Sequence, residues 1–320
     1  MSSPETLCSV VMPLYNKAPY VAMAVASVLA QTHANLELIV VDDGSSDDGP
    51  EQVRAIADPR VRLEAQANAG VSAARNHAIA LARGEWVFFL DGDDWHHPQY
   101  LARQMATAAR HPDVEVIATT YRHVPTAQFI GLAWDLPAEG RIERVVDLPT
   151  RWRAGNCFIT GSVGVRRRLL DRMQPCFPPG ESHGEDMDLW FRLNEHSAVA
   201  LLDLPLLAYR VEAVGSLAAV HARSIDLPPF LTRMEARALG GQAPAHLRAS
   251  MLRYVNESRV TMARMAISQG RRRDAVQLLA DAWRSAQGRR WWMTSVMALA
   301  WPADTVERWE TRRQRRTMNF

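Results

Sequence analysis

The chain has 320 residues, of which 48% are hydrophobic and 22% charged, a composition typical of a soluble globular protein. That length suits one large domain with an appendage, or two domains. The net charge of +2 conceals an asymmetry, because residues 1–222 hold 19 basic and 27 acidic residues whereas residues 223–320 hold 18 and 8. We therefore expect an acidic and a basic region with different roles.

The sequence carries no evident membrane-directing segment. The N-terminus MSSPETLCSV lacks the basic and apolar regions of a secretory signal, and the longest strongly apolar stretch, residues 291–301, is too short to span a bilayer. The three cysteines, Cys8, Cys157 and Cys176, show no metal-ligand spacing and cannot all pair. We therefore expect free thiols in a cytoplasmic protein.

Strands and helices alternate over the first 121 residues. The predicted strands are 8–15, 36–43, 61–66, 85–91 and 114–121, and the predicted helices are 19–31, 51–58, 71–84 and 98–111. This alternation implies βαβ units, and therefore an α/β fold with a mostly parallel sheet and helices on both faces. In such sheets ligands bind at the carboxyl ends of the strands.

The alternation fails after these elements. Residues 122–160 are expected to form irregular structure over the sheet, and a helix returns at 186–196. Beyond residue 225 the pattern is helical, with predicted helices at 245–270 and 271–288 that would suit a hairpin. The sequence thus predicts an α/β domain over 1–222 and a basic helical region over 223–320.

An acidic tip follows the fourth predicted strand, in the stretch FFLDGDDW. Asp91, Asp93 and Asp94 lie there together, where like charges this close repel one another and call for a positive partner. Hard cations such as Mg²⁺ and Mn²⁺ prefer carboxylate and phosphate oxygens, so the tip could hold a cation that carries a diphosphate. The alternative is a solvated acidic turn after a strand.

Two further turns lie at the same predicted edge. In VVDDGSSDDG, Asp42 or Asp43 either accepts a hydrogen bond from a nucleobase or ribose, or belongs to a turn that caps the next helix. In NAGVSAARN, Gly70 precedes a helix that carries Arg75 one turn in. That arrangement suits an anion at the helix start, or an ordinary helix start with Arg75 in a salt bridge.

A third acidic cluster begins the helix in GEDMDLWFRL. Glu185, Asp186 and Asp188 either complement the helix dipole or include a general base held by a rigid helix end. The glycine patterns of dinucleotide-binding and P-loop proteins are absent from the sequence.

Taken in order, these segments resemble the family 2 glycosyltransferases. The resemblance covers residues 7–220 and consists of SVVMPLYNK, LELIVVDDGSSD, NAGVSAARN, GEWVFFLDGDDW, GEDMDLWFRL and LPLLAYR. It implies the GT-A fold and an inverting, metal-dependent, hexosyltransferase-type enzyme that uses Mn²⁺ or Mg²⁺. The implied reaction moves a sugar from a nucleotide-diphosphate donor, with UDP favoured, to a saccharide or lipid-linked acceptor in bacterial surface-glycan synthesis.

The resemblance also implies a role for each matching residue. Pro13 and Tyr15 would flank the nucleobase, and Asp43 would form a hydrogen bond to it, with Gly70 and Arg75 near the nucleotide and diphosphate. Asp91 and Asp93 would form the D-x-D pair that touches ribose and metal, and Asp94 would share the metal. Asp186 would be the catalytic base. One position departs from the family pattern: many members have a metal- or diphosphate-contacting His after the Tyr-Arg pair, where this chain has Glu212. Glu212 either substitutes as an oxygen ligand or leaves the contact absent.

Rival interpretations concern turnover and the tail. A degenerate member would bind a nucleotide or glycan without catalysis, although retention of Asp91, Asp93 and Asp186 disfavours this. Nucleotidyl transfer leaves the Gly-Glu-Asp segment unexplained, and a receiver-type domain needs a late lysine that this chain lacks.

The Trp- and Arg-rich segment 289–316 either lies on an anionic membrane surface or packs on the domain. Nucleic acid is not an expected partner, because the acidic region would repel it.

Overall fold

The computed structural model describes residues 6–211, 225–286, 288–306 and 308–309. The chain divides into two compact units at residues 217–218. Both this division and the predicted boundary at 222–223 fall within 212–224, outside the described residues. The predicted domain boundary therefore stays a prediction.

The first unit is an α/β domain whose elements follow the predicted alternation up to residue 121. Its strands are β1 (Cys8–Leu14), β2 (Leu36–Asp42), β3 (Val61–Ala65), β4 (Trp86–Phe89), β5 (Trp95–His96), β6 (Val116–Pro125), β7 (Ile142–Val145), β8 (Val163–Arg166) and β9 (Val199–Val211). Its helices are α1 (Val21–Leu29), α2 (Gly49–Arg54), α3 (Val71–Leu81), α4 (Tyr100–Arg110), α5 (Leu148–Arg153), α6 (Arg167–Asp171) and α7 (Glu185–Asn194).

One sheet contains all of these strands. Their order is β3-β2-β1-β4-β8-β6-β9-β5, and β7 also pairs with β9. The pairs β1–β2, β1–β4, β2–β3 and β6–β9 are parallel, whereas β8, β5 and β7 pair antiparallel with their neighbours. The prediction of a parallel sheet is thus confirmed for β1 to β4, and the later strands make the sheet a mixed one.

The central strands are apolar because helices or loops cover both of their faces. Every residue of β2 is buried, and six of the seven residues of β1 are buried. Such strands form continuous hydrophobic runs rather than alternating patterns. Their side chains build the main core together with α1 and α4.

Several strand ends meet at one edge of the sheet. Leu14 of β1 pairs with Asp42 of β2, and Val11 of β1 pairs with Phe89 of β4. The antiparallel strand β8 begins at this same edge, where Gly164 pairs with Phe88. A Cβ on Gly164 would lie 2.3 Å from the Phe88 ring, so only glycine fits between these strands. The predicted acidic tips therefore share one edge with the start of β8.

The expectation of irregular structure over 122–160 is wrong in part. Strand β6 continues to Pro125, β7 pairs antiparallel with β9, and α5 begins after Asp147, whose side chain accepts a hydrogen bond from the Thr150 amide. β7 and α5 have four and six residues, which is too short for hydrophobic periodicity to identify them.

The second unit is helical, as predicted. Its helices are α8 (Pro229–Leu239), α9 (Ala245–Ser268), α10 (Arg272–Asp281) and α11 (Arg289–Ala300). Gly270, with φ of +76°, turns the chain between α9 and α10, which pack as the expected hairpin through Val260, Ile267 and Leu279. Helix α10 ends earlier than predicted, and Gly288 instead precedes α11. Among the described residues, no helix has both the length and the apolar character needed to cross a bilayer.

Candidate active site

The D-x-D carboxylates lie at the carboxyl edge of β4, as predicted. The Asp91 side chain is 32% exposed and the Asp93 side chain 15% exposed. Asp91 Oδ1 lies 2.9 Å from Arg75 Nη2, and Asp93 Oδ2 lies 2.6 Å from Lys17 Nζ. Each member of the pair therefore has a cationic partner of its own.

Arg75 links the acidic tip to the start of α7. From α3 its guanidinium donates to Asp91 through Nη2 and to Glu185 Oε1 through Nη1, both at 2.9 Å, and it lies over the Phe177 ring. Burial by itself lowers the pKa of Arg75, but the charges of Asp91 and Glu185 outweigh it and raise the pKa overall. Because the side chain is buried and both Nη atoms are used, Arg75 is placed to orient Asp91, and its position near the nucleotide and diphosphate stays a prediction.

Asp186 lies beside this buried pair. It is the second residue of α7, which begins after Gly184 in a left-handed conformation with φ of +76°. Its Oδ2 accepts a 2.8 Å hydrogen bond from the Thr160 hydroxyl, and its Oδ1 accepts a 2.7 Å bond from the Met187 amide. Thr160 belongs to the turn that leads into β8, so two elements fix the orientation of this partly exposed carboxylate.

Glu185 has a different environment from its neighbour. Burial raises its pKa, and the charge of Asp186 raises it further, against the opposing effect of Arg75. The two adjacent carboxyl groups thus have different surroundings, because Glu185 is buried against the Arg75 guanidinium whereas Asp186 is partly exposed. This contrast suits Asp186, rather than Glu185, to meet a substrate.

Asp43 holds the loop that precedes α3. Its carboxylate accepts hydrogen bonds from the side chain of Gln66 and the amides of Ala69 and Gly70, each at 2.8 Å. A carboxylate has about four acceptor positions, three of which are used here, and Asp43 is only 3% exposed, so the contact with a base stays a prediction. Gly70 adopts φ of +88°, a backbone conformation that favours glycine at this turn.

Asp94 differs from its two neighbours. It is 1% exposed, and its Oδ1 accepts a 2.8 Å hydrogen bond from the Arg210 amide. Burial raises its pKa well above the usual range, and the charges of Asp93 and Asp91 add to the shift. Its enclosed position argues against the predicted role as a metal ligand, because a ligand must present oxygen to the cation. Asp94 instead ties the acidic tip to the end of β9.

Arg210 completes that attachment. Its Nε donates to the Asp93 carbonyl at 2.7 Å, and its guanidinium lies 3.4 Å from the Phe129 ring centroid and 4.6 Å from that of Tyr20. The predicted base-flanking residues lie at the end of β1, where Pro13 is half-buried within the strand and Tyr15, just after it, is 49% exposed. Glu212 lies outside the described residues.

The donor set at the tip fits a hard divalent cation. Asp91 and Asp93 offer carboxylate oxygens, and Mg²⁺ is commonly bound through one or two carboxylates with substrate phosphates and water completing its coordination. Within the described residues, no group of three or more His, Cys, Asp or Glu side chains converges as a metal centre. The pair therefore suits a cation that also takes oxygens from a substrate.

Sequence reasoning missed three residues that organise this site, Lys17, Thr160 and Arg210, and it named Glu185 without its buried pairing to Arg75. The sequence offered a signal for two of these residues, because Glu185 adjoins the predicted catalytic base and Lys17 is the only lysine in the chain. Thr160 and Arg210 lie far from their partners in the sequence, and only the sheet brings them together.

A family model places the chain among known proteins. Residues 9–173 match the model of glycosyl transferase family 2, which is just over half of the chain. This protein therefore belongs to glycosyl transferase family 2.

Two relatives illustrate the similarity. EpsH of Bacillus subtilis strain 168, a protein named as a glycosyltransferase, is 30% identical over 213 residues, which span 63% of this chain and 60% of EpsH. The succinoglycan biosynthesis protein ExoU of Rhizobium meliloti strain 1021 is 28% identical over 271 residues, which span 79% of this chain and 75% of ExoU. The chain thus spans less than two thirds of the length of EpsH.

Two solved structures share the fold. TarS 1-349 of S. aureus, crystallised with UDP-GlcNAc, matches with a TM-score of 0.69 at 20% identity and covers 96% of this chain and 91% of that one. The mannosyltransferase PcManGT of Pyrobaculum calidifontis, in complex with GDP-Man and Mn²⁺, matches with a TM-score of 0.60 at 20% identity. The match covers 95% of this chain and 83% of PcManGT. The predicted GT-A fold is confirmed.

Removing the Arg75 charge should destabilise the protein. We expect Arg75→Met to lower the free energy of unfolding by about 3–5 kcal/mol, because Glu185 and Asp91 would lose a buried cation. Arg62→Met is the matched control, since it breaks an exposed pair with Glu64 and should cost less than about 1 kcal/mol. Denaturant unfolding measures both, and equal losses would contradict the assigned role.

Proposed function

We propose that this family 2 glycosyltransferase transfers a hexose, with inversion, from a nucleotide-diphosphate sugar to a hydroxyl of a saccharide or lipid-linked acceptor. One observation carries the proposal: Arg75 joins Asp91 and Glu185, so that the D-x-D pair and the start of α7 form a single site. A donor diphosphate at the tip would then lie close to Asp186.

The donor half of the site is proposed to lie over β1, β2 and β4. Tyr15 offers an exposed ring for a base, and the loop that Asp43 holds would form the floor beneath it. Gly70 shapes the start of α3, whose first amides favour an anion. UDP is the favoured nucleotide because TarS, which was crystallised with UDP-GlcNAc, matches this chain with a higher TM-score than PcManGT does, 0.69 against 0.60. The complex of PcManGT with GDP-Man makes GDP the alternative.

The reaction is proposed to be a single displacement. Asp91 and Asp93 would hold a divalent cation, Mn²⁺ or Mg²⁺. That cation would neutralise the charge that develops on the leaving diphosphate. Asp186 would accept the proton of the acceptor hydroxyl, whose oxygen attacks the anomeric carbon from the face opposite the leaving group. The bonds from Thr160 and the Met187 amide hold the carboxylate ready for that transfer, and one displacement inverts the carbon.

The biological setting is proposed from the relatives. ExoU is named for succinoglycan biosynthesis, which supports a role in polysaccharide synthesis for this chain. The competing proposal is a degenerate member that binds donor without turnover. The intact hydrogen bonding of Asp186 favours the active enzyme.

The basic region is proposed to hold the protein on an anionic membrane surface. One face of α11 is buried through Thr294, Met297 and Ala298. Trp292, Met293, Val296 and Leu299 are exposed on the other side, with Trp292 at 60% and Leu299 at 80%. Basic residues exceed acidic ones by 18 to 8 in residues 223–320, and this charge complements anionic lipid. The enzyme would then work at the inner membrane face, near a lipid-linked acceptor.

Donor binding should depend on the metal. We expect calorimetric titration of UDP to show binding with Mn²⁺ and at least about tenfold weaker binding with EDTA, because the diphosphate would lose its cation. Asp93→Asn should bind UDP as weakly with Mn²⁺ as the wild type does with EDTA. If GDP or dTDP binds instead, only the donor assignment changes. Failure of every nucleotide with every metal would overturn the proposal.

Loss of the proposed base should separate binding from transfer. We expect Asp186→Asn to bind UDP like the wild type but to lower the rate of sugar transfer by about 10²–10⁴-fold. Asp188→Asn removes an equal charge from the same helix turn, where Asp188 pairs with Arg192, and should retain transfer. NMR of the product reports the anomeric inversion. A wild type that binds donor and transfers no sugar would support the degenerate alternative.

The membrane proposal predicts selective lipid binding. We expect co-sedimentation with vesicles that contain anionic lipid and little with zwitterionic vesicles. Trp292→Ser combined with Leu299→Ser should weaken binding by at least about tenfold, since both exposed side chains would otherwise enter the interface. Val146→Ser, which changes an exposed apolar residue of the first unit, is the control. Equal binding by all three proteins would contradict the proposal.

A further inference from the structure

Lys17 is paired with a carboxylate of the proposed metal site. Its Nζ lies 2.6 Å from Asp93 Oδ2, and the two side chains are only 16% and 15% exposed. Lys17 follows β1 and Asp93 follows β4, so the pairing of these parallel strands brings them together. A Cβ on the intervening Gly92 would lie 3.6 Å from Lys17 Cβ, in ordinary contact, so the lysine packs closely along the tip.

The two D-x-D carboxylates are therefore compensated without a metal. Arg75 neutralises Asp91 from one side, and Lys17 neutralises Asp93 from the other. The two cations differ in chemistry, since Arg75 presents a planar fork to two carboxylates whereas the Lys17 ammonium is a compact charge whose donors can turn to a new acceptor. Of the two, the lysine is the one that a competing cation can displace.

A divalent cation at Asp93 must contend with this ammonium. At a separation of about 4 Å and an effective dielectric constant of about 20, Coulomb energies between charges are several times larger than in bulk water. A cation that binds Asp93 while Lys17 remains would meet that repulsion directly. A cation that arrives with a diphosphate brings compensating negative charge, to which the released ammonium can turn.

We propose that Lys17 is a built-in competitor of the divalent cation for Asp93, which makes firm metal binding conditional on the donor diphosphate. The inference rests on the proposed metal role of Asp93 and adds a positioning residue that controls when the metal binds. It also gives the ammonium a second position, against a diphosphate oxygen of the bound donor.

The test measures Mn²⁺ binding without nucleotide, by electron paramagnetic resonance of the free ion. We expect Lys17→Met to bind Mn²⁺ at least about tenfold more tightly than the wild type, because the competing charge is gone. Lys17→Arg, which keeps the charge, should remain within about twofold of the wild type. Asp93→Asn should bind Mn²⁺ no better than the wild type. Arg62→Met, which removes a cation paired with Glu64 on β3, should leave the affinity unchanged.

A second titration, with UDP present, separates the two hypotheses. If Lys17→Met and the wild type bind Mn²⁺ alone equally while both bind it with UDP, the competitor role is wrong and the proposed function stands. If no variant binds Mn²⁺ even with UDP, the proposed function fails and the competitor role fails with it. Should Lys17→Met fold poorly, Lys17→Gln removes the same charge, keeps a hydrogen bond to Asp93, and must show the same gain.

Discussion

The buried ion pairs of Arg75 are the constraint on which the site depends. The guanidinium of Arg75, a residue that is 5% exposed, pairs with Asp91 after β4 and with Glu185 at the start of α7. Burying that cation is costly unless both carboxylates stay in place. The pairing therefore fixes the distance between the acidic tip and the helix that carries Asp186, although the two segments are more than 90 residues apart in the chain.

Around this pair, the acidic tip is compensated residue by residue. Lys17 meets Asp93, Arg75 meets Asp91, and the Arg210 amide meets Asp94, whose carboxyl is enclosed. Three carboxyl groups so close together would repel one another in a bare turn. The tip is thus held at once by the segment after β1, by α3 and by β9, and the proposed binding of a cation with its diphosphate depends on this arrangement.

Much of the fold and part of the site were predictable because their signals are local. The alternation of strands and helices up to residue 121, the acidic ends of β2 and β4, and the helix that begins near Asp186 follow from short-range periodicity and turn chemistry. The short elements β5, β7 and α5 were not predictable, since pairing with β9 or packing on α7 decides them rather than their own pattern. The enclosure of Asp94 depends equally on a distant contact, its hydrogen bond from the Arg210 amide.

The sequence by itself determined the α/β class, the helical character of residues 225–300, and which carboxylates follow which strands, because apolar runs and turn residues specify these locally. The tertiary structure alone decided what each carboxylate faces. Asp43 faces a loop, Asp91 a guanidinium, Asp93 an ammonium and Asp186 a threonine hydroxyl. The physical reason is that charge compensation is set by distance in space, and the order of strands in the sheet sets that distance.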